Sequence, residues 1–414
     1  MKLSIVIPAY NEEAAIGRTL ERCLEAIEII KAKSPIDAVE LIVVSDGSID
    51  QTAAIAKSFE NVRVIEFESN RGYGAAIKAG FEAANGDLLG FLDADGTCDP
   101  VQFAPLCRAL VARNADVAIG ARMGRDSRMP LVRMIGNRFY AFLLGVLACK
   151  PITDTASGMR VVRASSLGDL YPLPDGMHFT PAMSARILMD DELKLVEVPM
   201  PYEERVGQSK LRLLRDGLRF ALTIIDAALV ARPTRVILPV LAFLLLLVCA
   251  MTVRPLHEYV MTGTIQNWMI YRAVTALLIV TVGMLLLSAA VIADEIITIA
   301  LKRPPRKSRL QILIARVFQT PFVAGLGTFS LGSSLLLTRD GLWDYIVTGH
   351  VYIHWWRVMV SAALLIMAAS AATTWLLMRI MSLLKKRQTA QPSAIVSAEP
   401  VEAWQAKQLA LEMD

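Results

Sequence analysis

The chain has 414 residues, a length sufficient for two or three domains, and 54% of them are hydrophobic. That fraction is too high for a single soluble enzyme, and the apolar excess lies in residues 236–378. The net charge of +4 is too small to indicate a nucleic-acid partner, and the five cysteines show neither paired nor metal-ligand spacing. Composition therefore predicts a mixed soluble part without disulfides, followed by a membrane part.

Short apolar runs alternate with longer segments through the first half of the chain. The predicted strands are LSIVIPAY, VELIVVSDGS, VRVIEF, DLLGFLDAD and ADVAIGAR, and the predicted helices are residues 12–33, 50–59, 74–84 and 100–113. The first run is too short for the apolar region of a signal peptide, so we interpret it as the first strand. Strands that alternate with helices predict a mainly parallel sheet covered on both faces.

Polar residues follow several of these predicted strands. Tyr10, Asp46 and Asn70 come after the first three, and Asp93 and Asp95 come after the fourth. Ligands of such sheets bind beyond the carboxyl ends of the strands. Carboxylate oxygens suit Mg²⁺ or Mn²⁺, so the Asp-x-Asp pair predicts a metal site, with a solvated turn as the alternative.

Two local patterns mark helix starts near these polar residues. Asp99 precedes Pro100, which predicts an N-cap. The stretch NRGYGAAIKAG opens a helix after a glycine-rich turn whose amides could approach a phosphate, although a plain turn explains the glycines nearly as well.

A basic segment and an amphipathic helix follow the fifth predicted strand. The segment carries five arginines, namely Arg122, Arg125, Arg128, Arg133 and Arg138. Apolar residues at 135, 139, 142, 143 and 146 then have helical spacing, as do those at 211, 214, 218, 222 and 225 later in the chain. We interpret both as helices in a membrane interface, with arginines suited to phosphate. A general lipid-surface patch is the alternative for the arginines.

Four uncharged runs in the second half are long enough to cross a bilayer as helices: 236–253, 273–293, 317–338 and 358–378. Lysine and arginine concentrate before the first run, between the second and third, and after the fourth, which places those segments in the cytoplasm. HEYVMTG and WDYIVTG recur at an offset of 86 residues, which indicates one helical hairpin used twice. The predicted division is 1–208, 209–232, 233–387 and a flexible tail, 388–414.

Six motifs in order carry a resemblance to a known family. IPAYNEE, VVSDGSIDQT, NRGYGAAIKAG, FLDADG, DTASGMR and EERVGQSKL resemble those of family 2 glycosyltransferases of the GT-A fold, and most closely the polyprenyl-phosphate sugar synthases such as dolichol-phosphate mannose synthases. The resemblance covers about residues 3–225. It implies an α/β GT-A domain before four membrane helices in two hairpins. It also implies inverting transfer of a hexose from a UDP- or GDP-sugar to a polyprenyl phosphate, such as undecaprenyl phosphate.

The resemblance also implies roles for particular residues. Asp93 and Asp95 would bind Mg²⁺ or Mn²⁺, and Asp154 would lie near the reacting groups. The nucleotide-sugar would contact Pro8, Tyr10, Asn11, Glu12, Asp46, Asp93, Arg205, Ser209 and Lys210. The acceptor phosphate would contact Arg122, Arg133, Asn137, Ser157 and Arg160. Thr97 stands where the mannose synthases often have glutamine, which puts a third side-chain metal ligand and the identity of the donor nucleotide in question.

Hydroxyl and phosphate acceptors differ in whether transfer to them requires a general base. A sugar or lipid hydroxyl needs a general base, whereas a lipid monophosphate with a second pKa of roughly 6 is already largely ionised at neutral pH. The many arginines and the lack of an unambiguous base favour a phosphate. Two alternatives stay open: transfer to a lipid hydroxyl with Asp154 as base, and a non-catalytic scaffold or lipid-transport module. We expect a bacterial-type inner membrane location with the catalytic domain in the cytoplasm, and the sequence leaves a homo-oligomer open.

Overall fold

The computed structural model describes residues 1–124, 127–205, 213–264, 266–300, 309–319, 321–350 and 354–389. The chain divides into two compact units, Met1–Val236 and Ile237–Asp414. The helix predicted for 209–232 therefore belongs to the N-terminal unit as far as it is described, rather than forming a separate segment.

The N-terminal unit is built on a seven-stranded sheet within its described residues. The strands are Lys2–Ala9 (β1), Ala38–Ser45 (β2), Val62–Glu66 (β3), Leu88–Leu92 (β4), Val117–Ala121 (β5), Met159–Arg163 (β6) and Leu195–Pro199 (β7). Their order is β3-β2-β1-β4-β6-β5-β7. β6 runs antiparallel to both of its neighbours, and the other pairs are parallel. The mainly parallel α/β sheet is confirmed, but β6 and β7 were not foreseen.

Helices cover both faces of this sheet. They are Ile16–Lys33 (α1), Thr52–Lys57 (α2), Tyr73–Ala83 (α3), Phe103–Ala112 (α4), Leu131–Ala148 (α5), Leu167–Leu170 (α6), Phe179–Met189 (α7) and Leu213–Ala231 (α8). Alternation along β1 decides the two layers: Ile5 and Ile7 pack with α1 and α4, while Val6 packs with α3, α5, α7 and α8. β1, β4 and β5 are buried on both faces, which is why they read as nearly continuous apolar runs.

Helices α5 and α8 each have one buried and one exposed apolar face. In α5, Leu144 is fully buried while Phe139 and Phe142 are 54% and 70% exposed. In α8, Ile224 is fully buried while Leu218 is 63% exposed. Residues of both predicted apolar stripes are therefore exposed on the N-terminal unit, and a membrane-interface position for these helices stays a prediction. α5 is long and apolar enough to cross a membrane, but its buried face belongs to the core of the N-terminal unit.

The remaining helices are Pro233–Thr262 (α9), Asn267–Ala300 (α10), Arg309–Gln319 (α11), Pro321–Thr348 (α12) and Trp355–Thr389 (α13). Besides α5, the described helices long and apolar enough to cross a membrane are α9, α10, α12 and, over Trp355–Leu384, α13. The predicted third run, 317–338, was wrong at its start because residues 317–319 belong to α11. Pro321 begins the next helix, at a position where its missing N–H costs nothing.

Two arginines expected on the basic side of the first run are bonded inside the N-terminal unit. Arg232 lies 2.6 Å from Asp191 and is 4% exposed. Arg235 donates to the carbonyl oxygens of Leu147 and Ala148, and so satisfies the last turn of α5. The Arg235 bonds thus connect the end of α5 to residue 235, which still belongs to the N-terminal unit.

Candidate active site

The carboxyl ends of three neighbouring strands form the candidate site. β1 lies between β2 and β4 and is parallel to both. Tyr10 therefore follows β1 at the same sheet edge where Asp46 follows β2 and Asp93 follows β4. This is the edge at which parallel sheets bind ligands.

The acid pair after β4 is held by side chains from other segments. The Tyr73 hydroxyl donates to Asp93 Oδ1 at 2.7 Å. Asp95 Oδ1 accepts from the amide and hydroxyl of Thr97, and its Oδ2 lies 3.3 Å from Arg205 Nη1. Arg205 Nη2 also donates to Glu12 Oε1 at 2.6 Å. The site thus brings together Glu12, Asp93, Asp95 and Arg205 as the sequence predicted.

Electrostatics at the acid pair favour a bound cation. Burial first, and the charge of Asp95 second, raise the pKa of Asp93 to about 7, although Tyr73, Arg122 and Arg205 oppose the rise. In the described part of the chain no group of three or more His, Cys, Asp or Glu side chains converges to hold a metal. Magnesium, however, is usually held by one or two carboxylates together with substrate phosphates. Asp93 and Asp95 therefore fit a divalent cation that a diphosphate completes.

Thr97 supports Asp95 through two hydrogen bonds and is 1% exposed. Its hydroxyl donates to the carboxylate at 2.7 Å, so this oxygen is engaged with Asp95. Asp99 accepts from the Val101 amide ahead of a short 3₁₀ turn that begins at Pro100, so its predicted N-cap role is confirmed.

The residues after β1 hold the adjoining loop. Pro8 lies at the end of β1, and Tyr10 is partly buried. Asn11 adopts a left-handed conformation with φ of 50° and accepts from the Ile49 amide at 2.9 Å. The Glu12 amide donates to the Thr52 hydroxyl at 2.8 Å. These bonds join the loop that follows β1 to the loop that follows β2, beside the site.

Asp46 holds the loop that precedes α3, and its expected contact with the nucleobase stays a prediction. It is 3% exposed, and its two oxygens accept from the amides of Arg71 and Gly72 at 2.6 and 2.9 Å. The same bonds engage two amides of the glycine-rich turn that the sequence offered to a phosphate. Asp46 therefore anchors the loop before α3, and Gly72 permits that loop with a φ of +108°.

Asp154, expected near the reacting groups, forms a buried pair with Arg122, and its role in the reaction stays a prediction. It is fully buried and accepts from Arg122 Nε at 2.8 Å and Nη2 at 2.9 Å. Burial alone would raise the pKa of Asp154, but the charge and hydrogen bonds of Arg122 hold it below its usual value. A buried, paired carboxylate with a lowered pKa is a poor general base.

Three of the expected acceptor residues make hydrogen bonds within the protein, and one of them bonds to this buried pair. Asn137 donates to Asp154 Oδ1 at 3.1 Å. The Ser157 hydroxyl donates to the Gly120 carbonyl at 2.6 Å. Arg160 is fully buried, and its Nε and Nη2 donate to the carbonyls of Ser157 and Thr155. Asn137 and Ser157 are thus engaged within the protein, whereas Arg160 Nη1 is buried without a hydrogen-bond partner among the described residues, and direct phosphate contact by these three stays a prediction.

The exposed arginines of the basic segment are different. The Arg133 side chain is partly exposed and makes no hydrogen bond or ion pair within the described residues. Arg138 is exposed on the same helix, beside a groove of about 520 Å³. Arg125, Ser209 and Lys210 lie outside the described residues. The charge of Arg122 acts on Asp93, one member of the acid pair. The Arg122 guanidinium also lies 5.3 Å from the centre of the Tyr202 ring.

Sequence reasoning missed Tyr73 and Tyr202. Tyr73 stands within the quoted glycine-rich motif, but only its contact with Asp93, 20 residues away, indicates its importance. Tyr202 lies on the segment that leads to Arg205, and it adds an aromatic face beneath Arg122.

A mainly parallel sheet with an acid pair at its strand ends, in a chain whose described helices include several long and apolar enough to cross a membrane, defines an α/β protein with a ligand site at the strand ends. Residues 4–171 match the sequence profile of Glycosyl transferase family 2. A dolichyl-phosphate hexose transferase of Haloferax volcanii is 31% identical over 234 residues, which are 56% of this chain and 95% of that protein. The chain belongs to glycosyl transferase family 2.

The chain is similar to two further proteins. A dolichyl-phosphate beta-glucosyltransferase of Drosophila melanogaster is 33% identical over 186 residues, which are 41% of this chain. The match spans only 57% of the length of the fly protein. The crystal structure of glucosyl-3-phosphoglycerate synthase from Mycobacterium tuberculosis with Mn²⁺, UDP-glucose and phosphoglyceric acid is 20% identical, with a TM-score of 0.44 over 55% of this chain and 79% of that one.

Proposed function

We propose that this protein transfers a hexose from a UDP- or GDP-sugar to the phosphate of a polyprenyl lipid, with inversion, at the cytoplasmic surface of a membrane. The names of two relatives, a dolichyl-phosphate hexose transferase and a dolichyl-phosphate beta-glucosyltransferase, support a lipid phosphate as the acceptor class. The proposal therefore adds a donor, an acceptor and the stereochemistry of transfer to the family membership.

One observation carries the proposal: Arg205 bonds to Glu12 at 2.6 Å and lies 3.3 Å from Asp95, so a fixed cation stands beside the acid pair. The charges of Arg122 and Arg205 both act on Asp93, at the carboxyl end of β4. A donor diphosphate needs a cation, and an acceptor phosphate needs a guanidinium, so both needs would be met within one site.

The donor side would be formed by Asp93, Asp95, Glu12 and Arg205. Asp93 and Asp95 would hold Mg²⁺ or Mn²⁺, which would neutralise the leaving diphosphate. Arg205 bridges Glu12 and Asp95 through separate nitrogens, so its charge is held beside the acid pair. Asp46 would act by keeping the loop before α3 in place.

The acceptor side would be formed by Arg122 and Arg133. Arg122 is fixed by Asp154 through Nε and Nη2, while its Nη1 makes no hydrogen bond in the described part of the chain. Arg133 lies near the start of α5, whose exposed face carries apolar residues such as Phe139 and Phe142. A lipid whose phosphate meets these arginines would have its chain beside that apolar face.

The step itself would be a direct displacement at the anomeric carbon. The oxygen of an ionised lipid phosphate would form the new bond as the bond to the nucleoside diphosphate breaks, so no proton has to be removed. Catalysis would then rest on alignment of the two substrates and on charge neutralisation.

Transfer to a lipid hydroxyl is the second candidate, and the geometry of Asp154 disfavours it. That reaction requires a general base, and Asp154 was its first candidate. Its full burial, its bidentate pair with Arg122 and its lowered pKa make it unsuited to remove a proton. A non-catalytic scaffold is disfavoured because the acid pair and Arg205 are assembled in one site.

A transfer assay on the purified full-length protein tests the proposal. Labelled UDP- and GDP-hexoses would be offered with undecaprenyl phosphate or with undecaprenol, in the presence of Mg²⁺ or Mn²⁺. We expect product with the phosphate and none with the alcohol, and loss of product in Asp95→Asn. Product with the alcohol alone would overturn the acceptor assignment.

A matched pair of variants separates a specific acceptor site from a general basic surface. Arg133→Ala and Arg138→Ala remove the same charge from the same helix, at a partly buried and at an exposed position. We expect the acceptor KM to rise at least tenfold in Arg133→Ala and less than threefold in Arg138→Ala, since a charged hydrogen bond contributes about 1.5–3 kcal/mol. Equal effects would indicate a general lipid-surface patch.

A further inference from the structure

Tyr73 and Gly158 together confine the Asp93 carboxylate. The Tyr73 hydroxyl donates to Oδ1 at 2.7 Å. On the other side, a Cβ atom added to Gly158 would lie 1.8 Å from Asp93 Oδ2, so the carboxylate packs directly against the Gly158 backbone. Oδ1 is therefore fixed by a hydrogen bond, while the movement of Oδ2 is limited by the Gly158 backbone.

The backbone at Tyr73 is itself fixed from two sides. The amides of Arg71 and Gly72 donate to the two oxygens of Asp46. On the opposite side, a Cβ atom on Gly74 would lie 2.1 Å from the Pro174 carbonyl oxygen, and the Ala75 amide donates to the Asp175 carbonyl. The hydroxyl of Tyr73 is thus held at the acid pair by a rigid start of α3.

We propose that Tyr73 is a positioning residue, which orients the Asp93 carboxylate so that it can bind a divalent cation together with Asp95. The inference rests on the proposed function, because it takes Asp93 as a metal ligand. Groups that hydrogen-bond to a ligating carboxylate fix its orientation, and their loss typically weakens metal affinity 10–100-fold. A phenol donates one proton to one oxygen, so the lone pairs of the other oxygen stay available.

Mn²⁺ binding to the full-length protein tests this role without any turnover. Free Mn²⁺ is measured by electron paramagnetic resonance during titration of the wild type, Tyr73→Phe and Tyr171→Phe. Both substitutions remove one hydroxyl, but the Tyr171 hydroxyl makes no hydrogen bond among the residues that the structure describes. We expect the Kd for Mn²⁺ to rise at least tenfold in Tyr73→Phe and less than twofold in Tyr171→Phe. An unchanged or lower Kd in Tyr73→Phe would overturn the inference.

Rescue by the metal distinguishes positioning from packing. Transfer by Tyr73→Phe should return to within threefold of the wild-type rate at saturating Mn²⁺, because the ligands themselves are intact. A loss that high Mn²⁺ does not restore would mean that the hydroxyl stabilises the fold around α3, and it would also overturn the positioning role.

Asp95→Asn separates failure of this inference from failure of the proposed function. If Asp95→Asn weakens Mn²⁺ binding and Tyr73→Phe does not, the metal site stands and the role of Tyr73 is wrong. If neither variant weakens binding, the acid pair is not the metal site, and both the inference and the metal-assisted mechanism fall.

Discussion

Replacing Asp154 by asparagine should destabilise the N-terminal unit severely, although Asp154 touches no substrate in our proposal. The carboxylate is fully buried and accepts five hydrogen bonds: three from the Arg122 side chain and backbone, one from Asn137 and one from the Ala156 amide. Asparagine keeps the shape but removes the charge and turns one acceptor into a donor. Arg122, whose side chain is 10% exposed, is then left charged and uncompensated.

Breaking one partner of a buried pair costs about 3–5 kcal/mol. For a unit the size of Met1–Val236, each kcal/mol shifts the unfolding temperature by about 2–4 °C. We therefore expect the Tm of Asp154→Asn to fall by roughly 6–20 °C. The matched control is Asp226→Asn, the same change at an exposed position, which should stay within about 0.5 kcal/mol of the wild type.

Buried thiols offer a way to follow unfolding of the N-terminal unit alone. Cys23, Cys98 and Cys107 are buried in it, while Cys149 and Cys249 are exposed. With the two exposed cysteines replaced by serine, a fluorogenic maleimide reports the temperature at which the buried thiols become reactive. A Tm within 2 °C of the wild type for Asp154→Asn would refute the structural assignment of Asp154 and restore it as a candidate base.

The same pair predicts the sign of a pH effect. The pKa of Asp154 is lowered in the folded protein, so its stabilising contribution is complete above the unfolded value of about 3.9 and is lost as the pH falls through the folded pKa. The Tm difference between wild type and Asp154→Asn should therefore be constant above about pH 5 and narrow below about pH 4. A difference that widens in acid would contradict the pairing.

Two further predictions concern the acid pair and the lipid-facing helix. Gly158→Ala should weaken Mn²⁺ binding at least tenfold, because the new methyl group would overlap Asp93 Oδ2. Gly168→Ala is the control and should leave the Mn²⁺ affinity unchanged, because the added carbon meets nothing within 4 Å. Equal affinities in the two variants would show that Asp93 can move freely. In a variant without Cys149 and Cys249, a fluorophore attached to Phe142→Cys should be quenched by brominated lipids after reconstitution. A fluorophore attached to Ile49→Cys should not be quenched, although Ile49 is 90% exposed. Equal quenching at the two sites would refute a lipid-facing α5.

Three of the strands that the sequence predicted share one physical property. β1, β4 and β5 are buried on both faces, so most of their residues are apolar, with Ser4 as a buried polar residue in β1. β6 escaped prediction because Arg160 lies within it and breaks the apolar pattern. The burial of that arginine is compensated in part by carbonyl oxygens of the preceding loop, which is a tertiary arrangement that a local pattern does not reveal.

The site was predicted better in its location than in its contacts. Asp46, Asp93 and Asp154 are the same residue type, and all three stand near strand ends. What separates them is the partner opposite: amides 25 and 26 residues away for Asp46, a tyrosine hydroxyl 20 residues away for Asp93, and an arginine 32 residues away for Asp154. Only the fold brings those partners together, so a motif alone does not distinguish a carboxylate that faces a ligand from one that holds a loop.

Asp154 and Arg122 are best understood as one functional group. A guanidinium this deeply buried needs a compensating charge, and Asp154 supplies it through two nitrogens in a planar geometry. The same pairing leaves the third nitrogen, Nη1, without a hydrogen bond in the described residues. It also holds the guanidinium beside the Tyr202 ring, where its charge acts on Asp93. Lysine could keep the charge, but its ammonium lacks the rigid planar fork that pairs bidentately with a carboxylate. The carboxylate that the sequence offered as a base therefore contributes by fixing the arginine that, in our proposal, receives the acceptor phosphate.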